Sequence, residues 1–149
     1  MGLPSFDIEE TIHIAVAPEV VWRFLAEPRS WPQWWPGCRE AETADRKTLH
    51  DGSTFKLGLR LGWLTLRVAA RVEACTAQRS LLWVGKGGGL TGRHAFYLDA
   101  KPNGTWVRQR ENFSGPGVLL FRLLRLDVAS RRMFKGNLKG LKRMAERSA

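Results

Sequence analysis

His94, Gln109 and Glu111 are the residues of this chain whose types could do chemistry together. A histidine beside a carboxylate can work as an acid–base pair, because the carboxylate orients the imidazole and favours its protonated form. His94 falls in one strand-like segment, Arg93 to Leu98, and the other two fall in the next, Thr105 to Phe113. Consecutive antiparallel strands bring such residues within reach of one another. The same side chains can equally satisfy one another's hydrogen bonds and do nothing but keep buried polarity paired. That structural alternative carries more weight, since no motif around them fixes the geometry that catalysis requires.

Other chemistries lack their residues. His13, His50 and His94 have no metal-ligand spacing with Cys38 or Cys75, so no metal is expected, and no cofactor. The two cysteines are expected to be free thiols. No serine or cysteine has an identifiable base, which argues against hydrolysis. The run Gly85-Lys86-Gly87-Gly88-Gly89 leads from one strand into another and opens no helix, so it is not a phosphate-binding loop; it reads as flexible. Arg93 beside it is placed to reach an anionic group on a ligand.

A second concentration of functional side chains is aromatic. Four of seven tryptophans, Trp22, Trp31, Trp34 and Trp35, fall within fourteen residues. Each combines large apolar area with an N–H that needs a partner, so the cluster belongs in a core or around a ligand. Trp22 and Trp34 read as core, whereas Trp31 and Trp35, flanked by proline, read as candidates for a lid.

The elements that must position these residues follow from periodicity. The chain has 149 residues, the size of one domain, and is read as a single domain over 1–149. Its 44% hydrophobic and 26% charged residues are those of a soluble globular protein, with no apolar run long enough to span a membrane. The segment from Met1 to Asp7 shows no basic-then-apolar leader, so the cytoplasm is the expected compartment. Apolar residues on even positions from Phe6 to Val16 predict a strand, and Pro18 with Glu19 then opens a short helix. Pro28, Pro32 and Pro36 limit the tryptophan segment to a turn or two.

Alternation continues through Thr54–Leu61, Thr65–Ala74, Leu81–Lys86, Arg93–Leu98 and Thr105–Phe113, with a weak edge strand over Arg39–Arg46, and predicts an antiparallel meander. From Val118 to Arg147 no proline occurs, and Leu120, Leu124, Phe134, Leu138, Leu141 and Met144 recur near helical spacing, which predicts one helix about 45 Å long. Gly136 and Gly140 lie four apart on it and suggest a close backbone approach. The net charge of +10 is concentrated on this helix, including Arg131 and Arg132. It reads as a solvated face, and without an accompanying motif no nucleic acid is expected.

The segments Ile14-Ala15-Val16-Ala17-Pro18-Glu19-Val20-Val21-Trp22, Trp31-Pro32-Gln33-Trp34-Trp35-Pro36, Leu82-Trp83-Val84-Gly85, His94-Ala95-Phe96 and Gly104-Thr105-Trp106-Val107, together with Glu111 to Gly115, resemble the SRPBCC superfamily of helix-grip domains. That superfamily includes the polyketide cyclase and dehydrase group, START domains and the birch pollen allergen. The resemblance implies an α+β fold: a seven-stranded antiparallel sheet wrapped around a long C-terminal helix, two short helices after the first strand, and a cavity between sheet and helix. In that architecture the inward positions include Phe55, Leu57, Leu59, Leu66, Val68, Trp83, His94, Phe96, Gln109, Glu111 and Phe113, and with Trp31 and Trp35 they make up the expected ligand site.

The leading expectation is therefore binding of a small, largely apolar molecule that is aromatic, polyketide-like or a lipid. One alternative is a polyketide cyclase- or dehydratase-like enzyme in which His94 or Glu111 moves a proton. Another is a lipid or quinone carrier whose basic helix makes weak contact with anionic membranes. A monomer or a homodimer fits either case.

Overall fold

In the computed structural model the described residues are 4–149, so Met1, Gly2 and Leu3, part of the stretch read above for a leader, lie outside them. Strand β1 spans Ser5–Ile14, followed by helix α1 (Pro18–Leu25), a 3-10 turn (Pro28–Ser30) and helix α2 (Trp31–Trp34). Six more strands follow: β2 (Cys38–Thr43), β3 (Thr54–Leu61), β4 (Leu64–Thr76), β5 (Ser80–Gly87), β6 (Leu90–Lys101) and β7 (Gly104–Ser114). Helices α3 (Val118–Leu123) and α4 (Leu126–Arg147) complete the chain. The seven strands form one sheet in the order β1-β7-β6-β5-β4-β3-β2, every pair antiparallel. This is the helix-grip arrangement, with β2 to β7 as the meander and β1 closing onto β7.

Period-two alternation decides which side chains face the helix. Phe55, Leu57 and Leu61 on β3, Leu81 and Trp83 on β5, His94 and Phe96 on β6, and Val107, Gln109 and Glu111 on β7 are all buried. The alternation predicted for β4 fails at one point. A bulge between Val72 and Ala74 shifts the register, so Ala74 turns outward and Cys75 is the next residue to turn in.

The predicted single helix over Val118–Arg147 is two. Arg125 adopts a left-handed conformation with φ of 58°, which ends α3 and re-aims the chain into α4. Val118 and Phe121 face inward from α3, and Phe121 stacks on Phe6 and Phe113 at 5.9 and 5.8 Å. A continuous helix through this segment would also have to bury Leu120 and Leu124; instead these stay 59% and 40% exposed. Helix α4 buries Leu126, Phe134, Leu138, Leu141 and Ala145 against the sheet and turns its lysines and arginines to solvent.

The two helical glycines are explained by α2. A Cβ at Gly140 would run into the carbonyl of Trp34, and one at Gly136 would lie 3.2 Å from Pro36 Cγ. The other end of α4 is pinned to the β1–α1 junction. The Ala15 amide donates to Glu146 Oε2 at 2.9 Å, and the Lys142 ammonium donates to Glu146 Oε2 at 2.7 Å and to the His13 carbonyl at 2.9 Å. The Lys142 hydrogen bond, then the Ala15 amide, hold the Glu146 carboxyl below its ordinary value.

Two predictions follow from this packing. Gly140→Ala gains helix propensity yet forces α4 away from α2, and it is expected to lower stability in urea by about 1–3 kcal/mol; an unchanged or raised midpoint would refute the close approach. For Glu146 the folded-state pKa is the lower one, so its contribution is present above the ordinary value of 4.5 and is lost as pH falls below it. Glu146→Gln is expected to be less stable than wild type at neutral pH, with the difference shrinking under acid.

Candidate functional site

The site is organised by a row of directly opposed residues running across three strands. Trp83 on β5 faces His94 on β6, and His94 faces Glu111 on β7. The Trp83 and His94 rings stack at 4.5 Å with only 6° between their planes. His94 Nδ1 donates to Glu111 Oε2 at 2.5 Å, and Gln109 Nε2 donates to His94 Nε2 at 3.1 Å. With the Gln109 amide in this orientation, His94 Nε2 accepts and Nδ1 carries the proton donated to Glu111. Phe96, Phe134 and Trp35 surround the rest of the ring at 4.8, 5.5 and 5.9 Å between centroids. His94 is therefore sealed from solvent, while the Glu111 side chain remains 10% exposed.

The next row explains why Glu111 is not sealed. Gly85 on β5 directly opposes Gly92 on β6, and both face inward. A Cβ at Gly92 would come 2.6 Å from Glu111 Oε1, and one at Gly85 would come 2.6 Å from Val68 Cγ1. With no side chain at either position, Val68, Trp83, Glu111 and Phe113 close in over the two glycines, which line one side of a small cavity. Its walls are Leu59, Leu61, Leu66 and Val68 from β3 and β4, Trp83, Gly87 and Leu90 from the β5–β6 hairpin, and Glu111 and Phe113 from β7. Trp35, Met133 and Phe134 form the roof. The cavity volume is about 30 Å³, room for about two water molecules. The Nε1–H groups of Trp35 and Trp83 are buried without a protein partner, as are Gln109 Oε1 and the Asn137 amide.

Of the expected ligand residues, Trp35, Leu59, Leu66, Val68, Trp83, Glu111 and Phe113 come together around this space. His94 and Gln109 stand behind Glu111, hydrogen-bonded to it in series. Trp31, Phe55, Leu57 and Phe96 lie in the solid core beside it. Leu61, read from the sequence as an inward residue, also lines the cavity, whereas sequence reasoning did not place Gly85, Gly87, Leu90, Gly92, Met133 or Phe134 in the site. The glycines were recoverable, because alternation through Leu81 and Trp83 points Gly85 inward, and alternation through Phe96 and His94 does the same for Gly92.

Three expectations need correction. Trp31 and Trp35 are not a lid over an opening: they are 0% and 1% exposed. Trp31 donates to the Leu25 carbonyl and packs against Trp34, Trp35, Phe55 and Trp83, while Trp22 is the half-buried one. The reason is that α2 is a single turn packed against β2 and α4, so its rings are buried in the core. Arg93 points to the outer face of the sheet and pairs with Glu73 at 2.8 Å, away from the cavity. The glycine run is not loose chain either: β5 continues to Gly87, and Gly88 and Gly89 make the hairpin turn with φ of 60° and 75°.

Burial pushes the Cys38 thiol up to about 12 and raises that of Cys75, so neither is suited to be a nucleophile at neutral pH. Among the described residues no group of histidine, cysteine, aspartate and glutamate could hold a metal ion, and no helix is long and apolar enough to cross a membrane.

A family model described as polyketide cyclase / dehydrase and lipid transport matches residues 5–147. The chain belongs to this family. Among solved structures, the Zhui aromatase/cyclase from a Streptomyces species superposes with a TM-score of 0.82 at 14% identity, covering 97% of this chain and 95% of that one. The di-domain StfQ from the steffimycin biosynthetic pathway gives 0.72 at 16%, covering 95% of this chain and 49% of that one. Ara h 8.0201 gives 0.70 at 16%, covering 95% of this chain and 98% of that one. At these identities the likeness is one of fold. None of the curated proteins compared matches the sequence.

The imidazole is part of the packing of the core. His94→Ala removes a ring stacked on Trp83 and leaves Glu111 and Gln109 without their partner, and it is expected to cost about 2–4 kcal/mol in urea unfolding. A loss below about 1 kcal/mol would show that the polar row does not support the core.

Proposed function

We propose that this protein, working in the cytoplasm, binds a small, largely apolar molecule, aromatic or polyketide-like, between the sheet and α4. The observation that carries this reading is the Gly85–Gly92 pair beside Glu111. It lets backbone, apolar walls and a single acid come together around one small space. A compact ring fits such a space better than a long acyl chain. A ligand hydroxyl can donate to Glu111, and a ligand carbonyl can accept from the free indole N–H groups of Trp35 and Trp83. The interior is nearly full, so entry requires side chains to move. Met133 on the roof, unbranched and half-buried, is the one best suited to do so. The family's description and the aromatase/cyclase named among the structural neighbours support the same ligand class.

A second reading is favoured by the 2.5 Å hydrogen bond between His94 and Glu111. In it Glu111 takes a proton from the carbon between two carbonyls of a polyketone held against the two glycines, and His94 is its positioning residue. Orientation in the cavity would supply much of the rate for ring closure.

Titration with hydroxylated naphthalenes, flavones and fatty acids, followed by tryptophan emission, tests the first reading. Aromatic probes are expected to give saturable quenching that is lost in Gly92→Val and weakened in the milder Gly85→Ala. No saturable probe, or a Gly92→Val protein that is folded and binds as wild type does, would overturn it. Glu111→Gln separates the two readings: a binder keeps its affinity within a few fold, whereas an enzyme loses turnover of a polyketone substrate.

A further inference from the structure

The outer side of α3 has no counterpart in the site described above. Leu119, Leu120, Leu123 and Leu124 are 65%, 59%, 78% and 40% exposed, and they form one ridge on a helix of six residues. On the opposite side Val118 and Phe121 are buried, so the ridge is not the result of a helix that failed to pack. Exposed arginines lie within it and follow it along the chain: Arg122 on α3, Arg125 at the bend, and Arg131 and Arg132 on the first turns of α4. Among the described residues none of these four takes part in an ion pair. Arg122 is held over the Phe6 ring at 5.4 Å and donates to the Ser5 carbonyl, which leaves the other three for an external partner.

We infer that this ridge docks the protein on an anionic lipid bilayer. Four neighbouring leucines projecting from a convex helix match the shallow acyl boundary of a membrane, and the arginines beside them reach phosphate groups while their stems stay against apolar surface. The charge selects the occupant. Two copies meeting ridge to ridge would bring like-charged arginines together on a chain that already carries +10. A negatively charged surface neutralises them instead.

The position is consistent with access to the cavity. Phe121 on the inner side of α3 stacks on Phe113, a cavity wall, and the Gly117 amide preceding α3 donates to the Gly89 carbonyl in the β5–β6 turn. Docking through α3 therefore holds that end of the grip against the bilayer. The element that docks is α3 with the start of α4, and not the whole basic face of α4. The inference does not depend on what the cavity binds.

Vesicle flotation tests it, using phosphatidylcholine alone and phosphatidylcholine rich in phosphatidylglycerol. Wild type is expected to float only with the anionic vesicles and to be released by salt. The pair Leu119→Ser with Leu123→Ser is expected to weaken binding about tenfold or more with the thermal midpoint unchanged, since both side chains are exposed. Arg131→Glu with Arg132→Glu is expected to weaken it comparably. Lys139→Glu, on α4 away from the ridge, leaves binding within a few fold.

Wild-type protein that stays in solution with anionic vesicles would overturn the inference. So would a leucine pair that binds as wild type does, which marks adsorption by charge alone. Sedimentation velocity supplies the last outcome: a dimer abolished by the leucine substitutions would make a second copy the occupant and refute the bilayer.

Discussion

A single helix has to cover the concave face of a seven-stranded sheet, and most of the structure follows from that mismatch. Strands about 4.8 Å apart make such a sheet about 29 Å wide, whereas a helix with its side chains is about 10 Å across. The remaining width must be filled by something that is not regular backbone. Here α2 fills one flank with Trp31, Trp34 and Trp35, and α3 fills the other with Val118 and Phe121. The tryptophan cluster is thus a consequence of geometry, since only large rings close such a gap without an additional helix.

A nearly filled interior leaves little water to solvate polar groups, so pairing within it is favoured; the Trp35 and Trp83 indole N–H groups, Gln109 Oε1 and the Asn137 amide are the exceptions. His94 is paired through both ring nitrogens and stacked on Trp83, and Glu111 receives one of those bonds while keeping an edge toward the cavity. The polar side chains that face the cavity are thus also part of what holds the core together. This is a general reason for a site on this fold to be sparse, because every polar side chain added to the wall would need a further partner behind it.

The fold was legible in the sequence because both of its signals are periodic. Alternation marked every strand except the polar edge strand β2, and the inward faces of most, and helical spacing marked α4 from Phe134 onward. Where the reading failed, tertiary packing outweighed local pattern. Leu120 and Leu124 have helical spacing with Phe134, but the left-handed Arg125 takes them off that stripe. The prolines around Trp31 and Trp35 look like those of a surface loop, yet α2 packs against β2 and α4 and its rings are buried in the core. The acid–base row was legible for a different reason: His94 and Glu111 occupy inward positions on neighbouring strands, and the β6–β7 register sets them directly opposite. The glycine side of the cavity was not recognised because it is shaped by side chains that are missing. Glycines in a strand were read as turn or flexibility, when Gly85 and Gly92 follow the same alternation as the residues around them.

That pair of glycines gives the fold an economical route to new specificity. Gly85 and Gly92 are each one nucleotide change from alanine, and the two changes act on different properties. A methyl group at Gly85 presses on Val68 and shrinks the accepted shape, whereas one at Gly92 presses on the Glu111 carboxylate and turns the acid itself. The size of the cavity and the orientation of the Glu111 carboxylate can therefore change separately, without altering the sheet register or the packing of α4 that defines the grip.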